Sequence, residues 1–236
     1  SASVNVWATM PKVETGSVKV KNTAEIDENH KSDSEIVVEP SQGDSTETKV
    51  VYDKDGNPLP NPGVVSVGDV LTYKITVKNT GKSNITEVYG KDTLVNRDGN
   101  AGGTHQTVLN NGKVIIKVEK ATGVKELKVG DELIVEGRWD VVKDFSFLIT
   151  ANEKTNKTAD VVKNIKDFCI EPNGELVLSY QLKIKNGFKD GYNQVSINGH
   201  EPVASVEYTT AEGKMDVYKY ARGYLNERNC VLDNVN

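Results

Sequence analysis

The chain has few of the side chains on which most enzymes and metalloproteins rely: its 236 residues include two cysteines and three histidines. Cys169 and Cys230 leave two readings open. They pair in an oxidising compartment, or they belong to a cell surface that does not use disulfides. His30, His105 and His200 are scattered, so neither a histidine metal site nor a histidine general base is expected. There is no nucleophile elbow, phosphate loop, zinc spacing or glycine-rich dinucleotide turn, and the acids are spread through turns. No enzyme class and no cofactor is therefore indicated. Positive charge is not in excess: 29 Lys and Arg stand against 34 Asp and Glu, a net charge of -5. With no basic stripe to offset phosphate repulsion, nucleic acid is not expected as a partner. No apolar run is long enough to cross a bilayer, so no membrane insertion is expected either. The chain opens at Ser1 without Met or signal peptide, which reads as a processed or excised piece. Aromatic residues make up only 6%, and 36% hydrophobic residues stand against 27% charged. That balance suits thin sandwiches with wet outer faces better than a deep enzyme core, although the length allows one large or two modest domains.

What the sequence does contain is β patterning. A turn at Val67 to Asp69 leads into Leu71, Tyr73, Ile75 and Val77, which alternate with Thr72, Lys74, Thr76 and Lys78. This is the period of a strand with one buried face. Asn79 to Ser83 reads as a hairpin loop, followed by a second strand that ends in the isolated acid of Lys91-Asp92-Thr93-Leu94. Further alternating or β-branched runs lie at Lys113–Val118, Glu132–Glu136, Phe145–Thr150, Leu176–Ile184, Asn193–Ile197 and Val203–Thr209. Turn-separated strands of this kind predict a mainly β protein, a sandwich rather than a parallel α/β sheet. One short amphipathic helix is predicted from Thr158, because Val161, Val162, Ile165 and Phe168 fall on one face at helical spacing. The tail over 211–236 is ambiguous between strand and helix.

A faint internal repeat suggests the domain organisation. Val20–Ile26 and Tyr192–Ile197 share an Asn followed by alternating small and apolar residues, and each leads through a polar turn to a short strand, Ser34–Val38 and Ser205–Tyr208. The polar stretch Glu39–Thr48 reads as a linker, over 41–48. Residues 1–40 then form a partial β unit without an opening half. Such unpaired strand edges seek a partner. Either the unit is the end of a preceding repeat, or it donates strands to another subunit.

Lys49–Leu94, with its GDVLTYKITVKNTG and KDTL segments, and Tyr192–Thr210 resemble the opening and closing halves of the repeat domains of Gram-positive surface proteins, related to fimbrial isopeptide-forming domains and the type A fold of collagen adhesins. The resemblance covers roughly 49–210. It is strongest in the first third. It implies an immunoglobulin-like sandwich used as an extracellular stalk or pilus module on the cell surface, often with a spontaneous Lys–Asn amide crosslink assisted by a buried acid. Residue by residue, Lys49 before the first strand matches the amine, Asp92 the acid and Asn193 the amide. Two positions depart from the family pattern: Val95 stands where Pro is usual, and Gln194-Val195 where Thr-Ala is usual.

The chemistry such a crosslink requires is specific. Lysine attacks only as the free amine, so burial must lower its pKa, and the same burial must keep Asp92 protonated. The neutral carboxyl would then donate to the Asn193 carbonyl, polarise it and move protons as ammonia leaves. Solvated or backbone-bonding roles for the three residues are the competing reading.

Other motifs are weaker. Asp53, Asp55 and Asn57 follow the first part of a calcium loop, but Pro58 and Pro60 interrupt it and no closing Glu follows, so a plain turn is expected. Trp7 and Trp139 are expected to fill core or strand-covering positions. Asn84-Ile85-Thr86 and Asn156-Lys157-Thr158 match the glycosylation sequon. The segment Gly99–Thr107 would serve as a recognition loop if the protein were an adhesin for a glycan or host matrix protein. A filament subunit polymerising by donor-strand exchange is the further alternative. The expected partners are other copies or neighbouring repeats.

Overall fold

The computed structural model describes residues 18–27, 30–38, 44–99, 105–138, 141–153 and 155–210. Trp7, Trp139, Cys230 and the tail over 211–236 lie outside the described residues, so the readings made for them are not addressed.

Strands β1 (Val18–Asp27) and β2 (His30–Val38) form an antiparallel two-stranded sheet of their own, with Val18 opposite Val38. Thirteen further strands follow: β3 (Ser45–Tyr52), β4 (Gly63–Val65), β5 (Val70–Asn79), β6 (Glu87–Val95), β7 (Gln106–Val108), β8 (Val114–Lys125), β9 (Glu132–Val135), β10 (Asp144–Thr150), β11 (Val161–Asn164), β12 (Cys169–Ile184), β13 (Asp190–Ile197), β14 (Val203–Ala204) and β15 (Tyr208–Thr210). They build two sheets. One runs β3-β5-β12-β8-β9, with β7 also on β12; the other runs β11-β10-β6-β13-β15-β4, with β14 also on β13. Pairing is antiparallel except at β10–β11 and β4–β15.

The two sheets enclose one core, because each strand turns its apolar phase inward. On β5, Leu71, Tyr73, Ile75 and Val77 are all buried, and on β12 so are Leu176, Leu178, Tyr180 and Leu182. Facing them are Val88 and Leu94 of β6, Phe145 and Phe147 of β10, and Val195 and Ile197 of β13, all in the same hydrophobic cluster. Each fully buried aliphatic or aromatic side chain contributes roughly 1.5–3 kcal/mol. Gly90 is required by one of these contacts. A Cβ there would lie 2.2 Å from Cζ of Phe147, whose residue pairs with Gly90 across β6 and β10.

Four expectations are corrected. No helix forms over 158–168. Instead Val161–Asn164 pair in parallel with Phe147–Thr150, and Asp160 holds the entry by accepting from Ser146 N at 2.7 Å and Ser146 Oγ at 2.9 Å. Two adjacent β-branched valines suit that pleated edge, and Phe168 reaches the core through a turn, Phe168 N donating to Ile165 O at 3.1 Å. Asn79–Ser83 is no hairpin loop, since β5 pairs with β3 and β12 whereas β6 pairs with β10 and β13. The chain there arches from one sheet to the other. Buried Asn79 holds the arch by donating to Ser83 O and Ile170 O, both at 2.8 Å, while its Oδ1 accepts from Gly81 N at 3.0 Å. Third, β3 begins at Ser45, inside the stretch read as linker, so Lys49 lies within a strand and not before it. Finally, Val203–Thr209 is not one strand. It breaks after Ala204: β14 and Ser205 bond to β13 over Asn193–Val195, whereas β15 pairs with Asp190 and Gly191 of β13 and with β4.

Candidate functional site

Alternation places four polar groups on inward-facing positions. Lys49 shares its phase on β3 with Val51, Asp92 on β6 with Val88, Gly90 and Leu94, and Asn193 on β13 with Val195 and Ile197. Tyr180 occupies the corresponding phase of β12 among leucines. Register then sets their mutual positions: Asp92 stands between Phe145 of β10 and Val195 of β13, and Asn193 stands opposite Leu94. Ser205 fixes the Asn193 backbone at both ends, since Ser205 N donates to Asn193 O at 2.8 Å and Asn193 N donates to Ser205 Oγ at 3.1 Å.

The three residues expected from the sequence therefore meet in the core, at 5% exposure for Lys49 and 0% for Asp92 and Asn193. They do not sit on neighbouring strands of one sheet. Lys49 belongs to one sheet, and Asp92 and Asn193 to the facing one. The Lys49 ammonium pairs with Asp92 Oδ2. A fourth residue, Tyr180, joins everything: its hydroxyl donates to Asp92 Oδ1 at 2.9 Å and accepts from Lys49 Nζ at 3.1 Å and from Asn193 Nδ2 at 2.6 Å. Sequence reasoning missed it. Its one signal was a tyrosine within a leucine phase, where a buried hydroxyl must find a partner.

The aromatic wall around the site excludes water. Tyr73 stacks on Tyr180 with ring centroids 5.2 Å apart, and Phe145 meets Tyr180 edge-on at 5.0 Å. The Lys49 nitrogen lies 5.0 Å from the Tyr180 centroid and 5.7 Å from that of Tyr73. Burial dominates the acid–base chemistry. It pulls Lys49 below the ordinary lysine range even though Asp92 pulls the other way, and it pushes Asp92 up against the opposing effects of Lys49, Tyr180 and Asn193. Tyr180 is held well above its usual value by burial and by the Asp92 charge, so its hydroxyl keeps its proton.

One detail departs from expectation. The amide nitrogen of Asn193, not its carbonyl, faces the Tyr180 hydroxyl and Asp92, and Asn193 Oδ1 is buried without a hydrogen-bond partner. An unsatisfied buried acceptor costs about 1–3 kcal/mol. Groups left in that condition call for a reason other than stability.

Other candidates do not converge. Asp53 closes a turn, its Oδ1 accepting from Asp55 N at 2.9 Å and Asn57 N at 2.8 Å, while Asp55 pairs with Lys54. Among the described residues no group of three or more His, Cys, Asp and Glu side chains could hold a metal ion. His200 lies 3.2 Å from Glu47 at the surface. Cys169 is buried in β12. The end of the Gly99–Thr107 segment is not loop: Gln106 and Thr107 belong to β7, and Gln106 is buried. Its amide closes a second polar cluster, Tyr73 hydroxyl to Gln106 Oε1 at 2.5 Å, Gln106 Nε2 to Tyr208 hydroxyl at 2.8 Å, and the two hydroxyls 2.7 Å apart. Every group in it is satisfied, and burial pushes Tyr208 to about 12.

No known family profile and no curated protein matches the chain. Among solved structures it is similar to the one named BspA_C_WT, at TM-score 0.42 and 18% identity over 82% of this chain and 60% of that one. It is also similar to the C-terminal domain of the Streptococcus pyogenes antigen I/II-family protein AspA, at TM-score 0.39 and 19% identity over 82% of this chain and 54% of that one. The pilus backbone RrgB from Streptococcus pneumoniae follows at TM-score 0.31 and 17% identity, over 65% of this chain and 52% of that one. The chain spans at most 60% of the length of each of these three.

Proposed function

We propose that this sandwich is a self-crosslinking structural module of an extracellular surface protein, stalk or pilus, in which Lys49 and Asn193 become joined by an amide bond. The reading is carried by the convergence of a buried amine and a buried carboxamide on one acid and one phenol. A cluster serving stability alone would be expected to satisfy every acceptor, as the Tyr73–Gln106–Tyr208 cluster does and Asn193 Oδ1 does not.

The chemistry starts with the ion pair. Transfer of one proton from Lys49 Nζ to Asp92 gives a neutral amine and a neutral acid, which burial favours over separated charges. The Nζ lone pair then adds to Asn193 Cγ, the Cγ–Nδ2 bond breaks, and ammonia leaves. Nζ gives up a second proton and Nδ2 gains one; Asp92 ends neutral, as a buried carboxyl without a cation should be. The fold contributes proximity, since β3 and β13 hold the two side chains in one dry space. No outside substrate is turned over.

Intact-mass spectrometry of the folded chain tests the reading. The expected mass is short by one ammonia, and Asn193→Ala or Lys49→Met returns the calculated value. A folded parent chain at full calculated mass overturns it.

A further inference from the structure

The crosslinking reading assigns the acid role to Asp92, yet the net reaction needs a proton to travel from one nitrogen to another. After the neutral pair has formed, Nζ must lose a proton and the departing Nδ2 must gain one. Asp92 is tied to Nζ through Oδ2, to Tyr180 through Oδ1 and also to the Asn193 side chain, but it has already taken up the first proton. The phenol too is in hydrogen-bond contact with both nitrogens, at 3.1 Å from Lys49 Nζ and 2.6 Å from Asn193 Nδ2.

On the basis of that reading, we propose that Tyr180 is a catalytic residue, relaying the proton from the attacking Lys49 nitrogen to the departing Asn193 nitrogen. The hydroxyl hands its hydrogen to Nδ2 as the Cγ–Nδ2 bond breaks, and takes one from Nζ as the Nζ–Cγ bond forms. The phenol is unchanged at the end, so no charge is stranded in the core. A hydroxyl can play both parts because it carries one hydrogen and two lone pairs and turns about its C–O bond. Expulsion of an amide nitrogen requires protonation, which makes this the step where a positioned acid matters most. The burial that keeps Tyr180 protonated keeps its hydrogen available for transfer. The ring is held still for the task by Tyr73 on its face and Phe145 at its edge.

Tyr180→Phe removes the hydroxyl and keeps the ring contacts. The full-length chain is produced as a short synthetic pulse, quenched in acid at intervals and weighed intact, beside Tyr208→Phe as a control that deletes a buried hydroxyl of the second polar cluster. Loss of a positioned acid–base group predicts a slowing of roughly a hundredfold or more for Tyr180→Phe, with Tyr208→Phe close to the parent rate. Should Tyr180→Phe fail to fold, 3-fluorotyrosine placed at 180 keeps the hydroxyl and makes it more acidic, and the relay predicts a rate change of about twofold or more. A folded Tyr180→Phe chain that loses ammonia at the parent rate overturns the relay and leaves the crosslink standing, as does an unchanged rate with fluorotyrosine. A parent chain that never loses ammonia removes both.

Discussion

The Lys49 side chain is fully buried, and its charge is tolerated only because Asp92 faces it. Breaking a buried pair by removing one partner typically costs about 3–5 kcal/mol, because the other charge is left uncompensated. Lys49→Met should therefore be much less stable at neutral pH than Asn193→Ala, which also cannot crosslink but keeps the pair. The pH dependence identifies the cause. Without Lys49 the largest influence lowering Asp92 is gone, so its folded pKa rises further above the ordinary 3.8. A folded pKa above the unfolded one gives stability that is present below pH 3.8 and is lost as pH rises through the folded value. Measured against Lys49→Met/Asp92→Leu, which shares every other titrating group, the denaturant midpoint of Lys49→Met should consequently fall between acid and neutral pH; parallel curves would rule out a buried, uncompensated carboxyl. Three of the four site residues were legible in the sequence because the segments that carry them resemble the opening and closing halves of a known repeat domain; their inward phase emerges only with the strands. Tyr180 was not, since an aromatic among leucines reads as core, and the role of its hydroxyl depends on what stands across the sandwich, which one strand's period does not carry.

Strands long enough to alternate could be read directly, and β5 shows why: four inward residues in a row leave no other phase. Strands of three or four residues, such as β4, β7 and β11, span two periods at most, and their pairing partners decide them. Pairing itself was the less legible half. The loop after β5 looks locally like a hairpin, and only the pairing of β5 with β3 and β12 and of β6 with β10 and β13 shows that the chain crosses to the other sheet. Close approach between strands is equally hidden until partners are known. Gly90 illustrates this, because it lies two residues from Asp92 and gives its side-chain space to the Phe147 ring. Gly90→Ala should force β6 and β10 apart and cost about 1–3 kcal/mol as overpacking does. Measured in the Asn193→Ala background, where no covalent bond masks the loss, the denaturant midpoint should drop. Phe147→Leu in the same chain should restore part of it, whereas no drop on Gly90→Ala would show that the ring yields freely.

At the scale of the whole molecule, the site joins the strand that opens the sandwich to one near its close, and it does so between facing sheets. The Lys49–Asn193 bond would enclose roughly 140 residues, and by the loop-entropy relation used for disulfides it would stabilise the fold by on the order of 5 kcal/mol. Its mechanical consequence is larger than that figure. Tension applied outside the sandwich reaches β3 at one end and, past β15 and β14, β13 at the other, and a covalent bridge between them carries the load past β5 through β12, whose unfolding barrier is then no longer what sets the lifetime. Pulled between handles attached before Ser45 and after Thr210, Asn193→Ala should release the enclosed segment in a step of roughly 500 Å, given about 3.4 Å per extended residue. The parent should show no such step, only short extensions from the chain outside the bridge. Heating should rank them the same way, with the parent melting higher. An equal step in both chains, in a sample whose mass is short by one ammonia, would mean that the ammonia was lost elsewhere and that β3 and β13 are not covalently joined.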